Sequence, residues 1–471
     1  MVFELRSFFL LTLILASSFS NSQTNLTIDA SNSPFYIVAD TTIERGDTLL
    51  LSAGAELFMG NHVNVQVKGV LRIKGDPMNR AYVRPINPGI GWGEFKIYIH
   101  VDSLLVENAF IEDGRFLSFE SVNYFNNVEF VNNQNLVWNA AISRFIRGQL
   151  HIENCKIYGS NKGEGFLVHS IENPRVVHSY FNAIPDAIEY LNCNNGRISN
   201  CQFFDMIDDA IDLNHCYKTV IDSNLIVNVG NRGMEIGSEN NGSSLEIEVF
   251  RNVLVNCEEG INFKEGSTGS IRNNTFYRNQ KAITIVADGR PNAGSSVGIV
   301  NCIFDENQMA IYKDDSSTFS VDYSSSSSHL LIGEENLFAY PRFNDPANLD
   351  FTLQSHSKCI DSGQRNGEVD GDGTYLDMGA FYFDQSGLEK YSEKLTLMPN
   401  PATSLLTILT QGNFDRIQIV DTKGQLQKNV KFVPSNGGGN SVADVSNLKR
   451  GLYVVILIEK NSQLHRKFVK L

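Results

Sequence analysis

The chain has 471 residues, 42% apolar and 20% charged, the proportions of a globular protein long enough for two or three domains. Its formal charge of −14 is unevenly spread: residues 388–471 hold 12 Lys and Arg against 6 Asp and Glu, a tail of +6 behind a body of −20. An acidic body repels phosphate backbones, which argues against nucleic acid and favours divalent cations, or sugars presented with them.

The first residues read as a secretory signal. Arg6 is the basic element, Phe8 to Ala16 is the apolar run, and Ser18, Ser20 and Ser22 offer cleavage before Asn21 or Gln23. That run is about half the roughly 20 residues a membrane span needs, and no later segment is apolar enough to cross a bilayer.

Between residues 105 and 304 one pattern recurs: apolar, two variable residues, Asn, Cys or Ser, one more residue, apolar. The copies at 152–157, 176–181, 198–203, 221–226, 249–254, 271–276 and 299–304 place Cys155, Ser179, Cys201, Asn224, Asn252, Asn274 and Cys302 at the fourth position, 22 to 28 residues apart. A second motif, a small residue followed by apolar, variable and usually apolar residues, keeps phase with it from Gly165, Ala187, Ala210, Gly233, Gly260, Ala282 and Ala310. Each unit holds two or three strands too short to form a stable sheet alone. Stacked at about 4.8 Å, the units pair every strand and bury a continuous apolar column. The phase, with 30 Phe, 37 Gly and only 12 Pro, predicts an all-β solenoid, a right-handed parallel β-helix. Asn at its corners tolerates the left-handed backbone and can bond to its equivalents above and below.

Residues 48–58 (TLLLSAGAELF) and 65–75 (VQVKGVLRIKG) alternate strand and turn upstream. They resemble the opening coils of bacterial right-handed β-helix proteins of the pectate-lyase-like superfamily. Downstream, the serine run at 324–328 predicts a loop. The stretches 336–343 (NLFAYPRF), 350–353 (DFTL), 359–363 (CIDSG) and 377–381 (DMGAF) then resemble the segment that follows β-helices in exported bacterial proteins. That segment is expected to cover the open end of the stack. Within it Asp370, Asp372 and Asp377 alternate around Gly, a pattern that can wrap Ca²⁺; a solvated acidic turn is the other reading.

From residue 395 the pattern changes to 397–403 (LMPNPAT), 406–408 (LTI), 417–421 (IQIVD), 451–455 (GLYVV) and 467–470 (KFVK). This is similar to the type IX secretion C-terminal sorting domain, a small β-sandwich. Met398 stands where that family commonly has Tyr or Phe. The resemblance implies type IX machinery and a sorting peptidase as partners, attachment to surface glycolipid, and a place on the outer surface of a Gram-negative bacterium. The organisation is then a signal peptide at 1–22, the β-helix at 34–330, its terminal segment at 331–387, a linker at 388–394 and the sorting domain at 395–471.

Aligning the coils turns the repeat into columns. Two positions after the small residue stand Glu189, Asp212 and Glu235, then Asn262 and Thr284, facing outward if Ile188, Tyr190, Ile211, Leu213, Met234 and Ile236 face inward. Just before the small residue run Asp186, Asp209, Arg232, Glu259 and Lys281, with Asp208 alongside and Lys264 one strand further on. Carboxylates stacked this closely raise one another's pKa or recruit a cation. Acids roughly 5 Å and 9–10 Å apart suit glycoside hydrolysis, whereas a cation with Arg or Lys suits a polysaccharide lyase. On these grounds Asp186, Asp208, Asp209, Arg232 and Lys264 are the candidate catalytic residues, and Glu189, Asp212, Glu235 and Glu259 the candidate substrate-binding residues.

The segments 208–211 (DDAI), 232–238 (RGMEIGS) and 261–264 (INFK) resemble the polygalacturonase glycoside hydrolases, whose successive coils carry Asp-Asp, Gly-His-Gly and Arg-Ile-Lys. Arg232 stands in place of the His, Asn262 and Phe263 break the last motif, and Asp186 follows Ile-Pro rather than Asn-Thr. The block is closer to surface β-helices that carry Lys-Glu-Gly-Ser, here 264–267. Two function classes follow: a surface protein that engages polysaccharide, as lyase or hydrolase, or a non-catalytic adhesin or stalk. No nucleotide-cofactor motif is present.

Seven cysteines lie at 155, 193, 201, 216, 257, 302 and 359, none with CxxC spacing. Cys193 and Cys216 occupy one column on adjacent coils, at disulfide range, and are expected to form a bridge after export.

Overall fold

The computed structural model describes residues 25–98, 103–132, 141–159, 163–237, 242–289, 293–385, 395–410, 416–421, 425–434, 441–459 and 462–471. The signal-peptide and linker readings fall outside these residues. Two compact units emerge: 1–368 with 375–383, and 369–374 with 384–471.

In the first unit the short strands stack in register as parallel ladders. Phe166–His169 pairs with Ile188–Leu191, which pairs with Ile211–Asn214, and the next rung continues at Met234 to Ile236. A second ladder links Arg175–Val177, Arg197–Ser199 and Val220–Asp222, and a third links Tyr180–Asn182, Gln202–Met206 and Leu225–Ile236. The upstream stretches join the same stack, Thr48–Ser52 lying between Asn25–Ile28 and Val70–Lys74. Ile188, Tyr190, Ile211, Leu213, Met234 and Ile236 are all fully buried, so each rung gives its alternate apolar side chains to one continuous core. This is the predicted parallel β-solenoid.

The corner asparagines divide the work differently from the sequence reading. The left-handed residue is the one before the fourth position: Asn154, His178, Asn200, Ser223, Arg251, Asn273 and Asn301 all have positive φ. The fourth-position side chain turns inward and accepts a backbone N–H from the coil before it. Asn224 Oδ1 takes Cys201 N at 2.8 Å, Asn252 Oδ1 takes Asn224 N at 2.9 Å, and Asn274 Oδ1 takes Asn252 N at 2.9 Å. Serines do the same at another corner, where Ser244, Ser267, Ser295 and Ser317 each accept from the residue one coil earlier. The small residue of the second motif is a packing requirement, since a Cβ on Gly165 would lie 2.1 Å from Ala187 O.

Two expectations change at the end of the helix. The serine run is a rung rather than a loop: Ser325–Ser326 pairs with Ile303–Asp305 on one side and Leu337–Phe338 on the other. Its hydroxyls serve the ladder, Ser324 Oγ accepting Cys302 N at 3.1 Å, and Ser324, Ser325, Ser326 and Ser327 are buried. The following segment packs along the side of the stack rather than only over its end. Phe343, Phe351, Leu353, Met378 and Ala380 form an apolar cluster with Val227, Val253, Val255, Tyr277 and Ile303. Val227, Val255 and Tyr277 share one outward column of the third ladder, and an outward apolar column needs a cover.

The second unit contains a four-stranded antiparallel sheet, ordered Leu395–Met398, Leu405–Thr410, Ser441–Asp444, Lys431–Pro434, and a three-stranded one, Arg416–Asp421, Gly451–Glu459, Ser462–Lys470. Leu397, Leu406, Ile408, Ile419, Val455 and Phe468 share its core, the expected small β-sandwich.

Candidate functional site

The structure places Glu189, Asp212 and Glu235 opposite one another on successive strands, followed by Asn262 and Thr284. The column before the small residue is equally regular. Arg232 pairs with Glu259, and Glu259 with Lys281; Ala187 N donates to Asp209 O and Ala210 N to Arg232 O. The acids also staple the coils together, since Asp186 Oδ1 accepts Asp209 N at 2.9 Å and Asp209 Oδ1 accepts Arg232 N at 2.8 Å.

Solvated surface acids would be exposed, and these are recessed. Asp209 is 6% exposed and Glu235 5%, while Asp186, Glu189, Asp208 and Asp212 are half-buried. The same column also contains Glu164, 5% exposed, a residue the sequence reading did not single out. It precedes Gly165, the first small residue of the repeat, and Gly165 N donates to Asp186 O at 2.7 Å. Extending the column by one coil would have found it.

Arg232 sits at the centre of the cations. Its guanidinium bonds Glu235 and lies 3.7 Å from both Asp209 and Glu259. Lys281 Nζ holds Glu259 Oε1 at 2.8 Å. Lys264, expected among the catalytic groups, is fully buried, its ammonium held against Glu235 with Asp288 at 3.9 Å. The strand ends at Phe263, and Lys264 N bonds back to Ile236 O, which turns the side chain beneath the row. Its ammonium pairs with the Glu235 carboxylate from within the fold rather than from the exposed surface.

The neighbouring acids are less fully compensated. Burial, reinforced by the charges of Asp208 and Glu189, pushes Asp186 up to about 7. Burial and then the charge of Glu189 do the same to Glu164, also to about 7. Burial and the Glu235 charge push Asp209 up to about 8 against the pull of Arg232. Asp212 is raised well above the carboxylate range by burial and by Glu235. Asp186, Asp208 and Asp209 present oxygens within 4.8 Å of one another. Near them, Glu164 Oε2 and Asp212 Oδ1 are buried without a hydrogen-bond partner among the described residues. An oxygen-only donor set of this kind suits a hard cation of the Ca²⁺ class.

Asp370, Asp372 and Asp377 are engaged with backbone. Asp377 accepts from Asp361 N at 2.7 Å and Phe383 N at 2.6 Å. Asp372 accepts from Thr374 N at 3.0 Å and Gln385 N at 2.7 Å. Asp370 closes a turn with Thr374 through its backbone.

The predicted bridge between Cys193 and Cys216 is not formed. Both are buried free thiols. Each sulfur lies against a backbone carbonyl of the preceding coil, Cys193 Sγ at 3.4 Å from Val168 O and Cys216 Sγ at 3.3 Å from Tyr190 O.

Among known families, the Secretion system C-terminal sorting domain matches residues 396–471. The C-terminal unit is a secretion-system sorting domain. It is the mark of a secreted or cell-surface protein. The acid row lies wholly in the solenoid. A second family, Periplasmic copper-binding protein (NosD), matches residues 148–325, a stretch within the solenoid. No curated protein matches the chain. Solved structures similar to it include pectate lyase Pel9A, with 16% identity over 72% of this chain and 88% of that one and a TM-score of 0.34. They also include the catalytic domain of a GH87 alpha-1,3-glucanase in complex with nigerose, at 13% over 65% and 69% with a TM-score of 0.38. A third is the Azotobacter vinelandii mannuronan C-5 epimerase AlgE6 A-module, at 12% over 63% and 91% with a TM-score of 0.29. At these identities the likeness is one of fold alone.

The copper in the second family's description does not fit the Asp186 cluster. Copper sites favour thiolate, thioether or imidazole, and the Asp186 cluster offers only carboxylates. The thiols lie in the core, where burial pushes Cys155, Cys201, Cys257 and Cys302 up to about 12.

Proposed function

We propose that the acid row binds a divalent cation of the Ca²⁺ class and, through it, an acidic polysaccharide that the protein cleaves by β-elimination. The observation that supports this is the Asp186–Asp208–Asp209 cluster, with its oxygens within 4.8 Å of one another beside the orphaned oxygens of Glu164 and Asp212. Buried carboxylates in such excess are costly unless a cation offsets them.

Asp186, Asp208 and Asp209 would hold the cation, which would supply charge to offset a uronate carboxylate and acidify the adjacent C–H. Arg232, with 22% of its side chain exposed, would pair with the sugar's carboxylate. Glu189 is half-buried, and burial raises its pKa above the ordinary range, which suits it to receive the proton as the C–H pair becomes a C=C bond and the glycosidic C–O bond breaks, the departing oxygen taking a proton from water. Lys264 is a positioning residue through Glu235. The protein would act on the outer surface of a Gram-negative cell, delivered by type IX machinery, with the sorting domain removed by a peptidase and glycolipid attached.

One observation favours a second reading. Carboxyls at about 7 on Asp186 and Glu164 keep their protons near neutrality, as a general acid for glycoside hydrolysis must. The two are separable. Incubated with polygalacturonate, alginate and neutral plant glycans, the exported protein is expected to raise ultraviolet absorbance from unsaturated ends. That signal should require Ca²⁺ and disappear in chelator or in Asp209→Asn. New reducing ends without absorbance, indifferent to chelator, select hydrolysis. Neither product, together with no Ca²⁺-dependent binding of any glycan, leaves a surface adhesin or stalk.

A further inference from the structure

The third ladder carries a second feature, away from the acid row. Its outward side is covered by the returning segment at Val227, Val255 and Tyr277. N-terminal to that cover, two clefts of about 520 and 420 Å³ meet at Asn200. The first is lined by Tyr158, Tyr180, Lys156 and Gln202. The second is lined by Leu225, Arg251 and Thr352, with Phe381 and Tyr382 from the returning segment. Lys156, Tyr180, Gln202, Leu225 and Val253 hold one position in five successive coils. At about 4.8 Å per rung the cleft floor runs roughly 19 Å.

We propose that this cleft binds a chain of an acidic polysaccharide, as a non-catalytic site separate from the acid row. Sugar rings present apolar C–H faces and hydroxyl edges, and both have counterparts here. The Tyr180 ring is backed by Phe204, with centroids 5.8 Å apart, so its position is fixed before a ligand arrives. Phe381 and Tyr382 are 43% and 41% exposed at the other end, aromatic surface of the kind that marks a binding region. Between them the amides of Asn200 and Gln202 stand exposed, able to donate to and accept from hydroxyls.

Charge selects the acidic class. Lys156 and Arg251 line the cleft, are exposed, and form no salt bridge among the described residues. The one lining carboxylate, Glu129, is already neutralised by Arg80 and takes the Tyr158 hydroxyl. In a body of net charge −20 this is a local region of opposite sign. The reading does not depend on any chemistry of the acid row. A second grip on the same polymer would raise retention by effective concentration alone.

The test is affinity electrophoresis of the full exported chain in gels cast with polygalacturonate, or with uncharged dextran, all in chelator so that cation bridging at the acid row is off. Retardation by polygalacturonate and not by dextran is expected. Tyr180→Ala and the Lys156→Ala/Arg251→Ala pair should each weaken it at least tenfold, with Asp209→Asn unchanged. Should Tyr180→Ala not fold, Tyr382→Ala, a surface change, is held to the same expectation. The proposal is overturned by no retardation, by equal retardation in dextran, or by wild-type behaviour of Tyr180→Ala and Tyr382→Ala. Loss in Asp209→Asn alone would assign the binding to the acid row and also overturn it.

Discussion

Two polar columns run through the same solenoid, built by the same repeat, and they solve the problem of burial in opposite ways. In the Asn224–Asn252–Asn274 ladder each buried amide accepts a backbone N–H from one coil and donates to backbone carbonyls; Asn252 Nδ2 reaches Ile221 O at 2.9 Å and Phe250 O at 3.1 Å. Like stacks on like, and each group serves the next. In the acid row carboxylate stacks on carboxylate, and among the described residues Glu189 and Asp212 share the single amide of Asn214, which reaches both. A column of amides satisfies itself, whereas a column of acids needs something from outside. Equivalent positions in a repeat therefore become informative when their chemistry fails to close.

The comparison can be broken most severely at Lys264. Lys264→Met removes one of the two cations held against Glu235, leaving only Arg232, and is expected to cost about 3–4 kcal/mol in denaturant unfolding. Glu235→Gln added to it should recover most of that loss. A small effect of the single change would mean that Arg232 alone compensates Glu235. Next in size, Asn252→Ala leaves the N–H of Asn224 and two carbonyls unserved, and a loss of about 3 kcal/mol is expected. A loss below about 1 kcal/mol would mean that water replaces the ladder.

Asp209→Asn should act in the other direction. In chelator it is expected to raise the unfolding midpoint, because a neutral amide is less costly in that position than a crowded acid. It should also abolish the stabilisation that Ca²⁺ gives the native chain. The same electrostatics set a pH dependence. Asp186 and Asp209 are raised in the folded state to about 7 and about 8, above the roughly 3.9 of an unfolded Asp. Below about pH 4 both states are protonated and these groups cost nothing. As pH rises from there the unfolded chain ionises first, so cation-free stability should fall until about pH 8 and then level off. A thermal melt that is flat across that range would show the acids already compensated. The smallest expected effect concerns the cysteines: with Cys193 and Cys216 unbridged, reductant should leave the melting midpoint unchanged, and non-reducing peptide mapping that finds the bridge would overturn that geometry.

The acid row was legible because phase is a property of sequence. The step from Ala187 to Ala210 to Gly233 places Glu189 over Asp212 over Glu235 before any coordinate is known. Glu164 was equally legible, since it precedes Gly165 as Asp186 precedes Ala187. Asp288 was not: it lies past the strand end at Ile285 in a turn, where no phase applies. The serine run misled because composition favours a loop, while the ladder asked only for a small hydroxyl at each rung.

The sequence alone determined the solenoid, its register, the columns and the sorting domain, because all of these follow from local alternation repeated at a fixed interval. Only the tertiary structure decided that the acids are recessed, that Lys264 lies beneath them, and that residues 343–383 return along the third ladder and shape a cleft there. Those outcomes depend on how segments outside the repeat fold against it, and burial, which raises Asp186, Glu189, Asp209 and Asp212 above the ordinary carboxylate range, is a property of that packing.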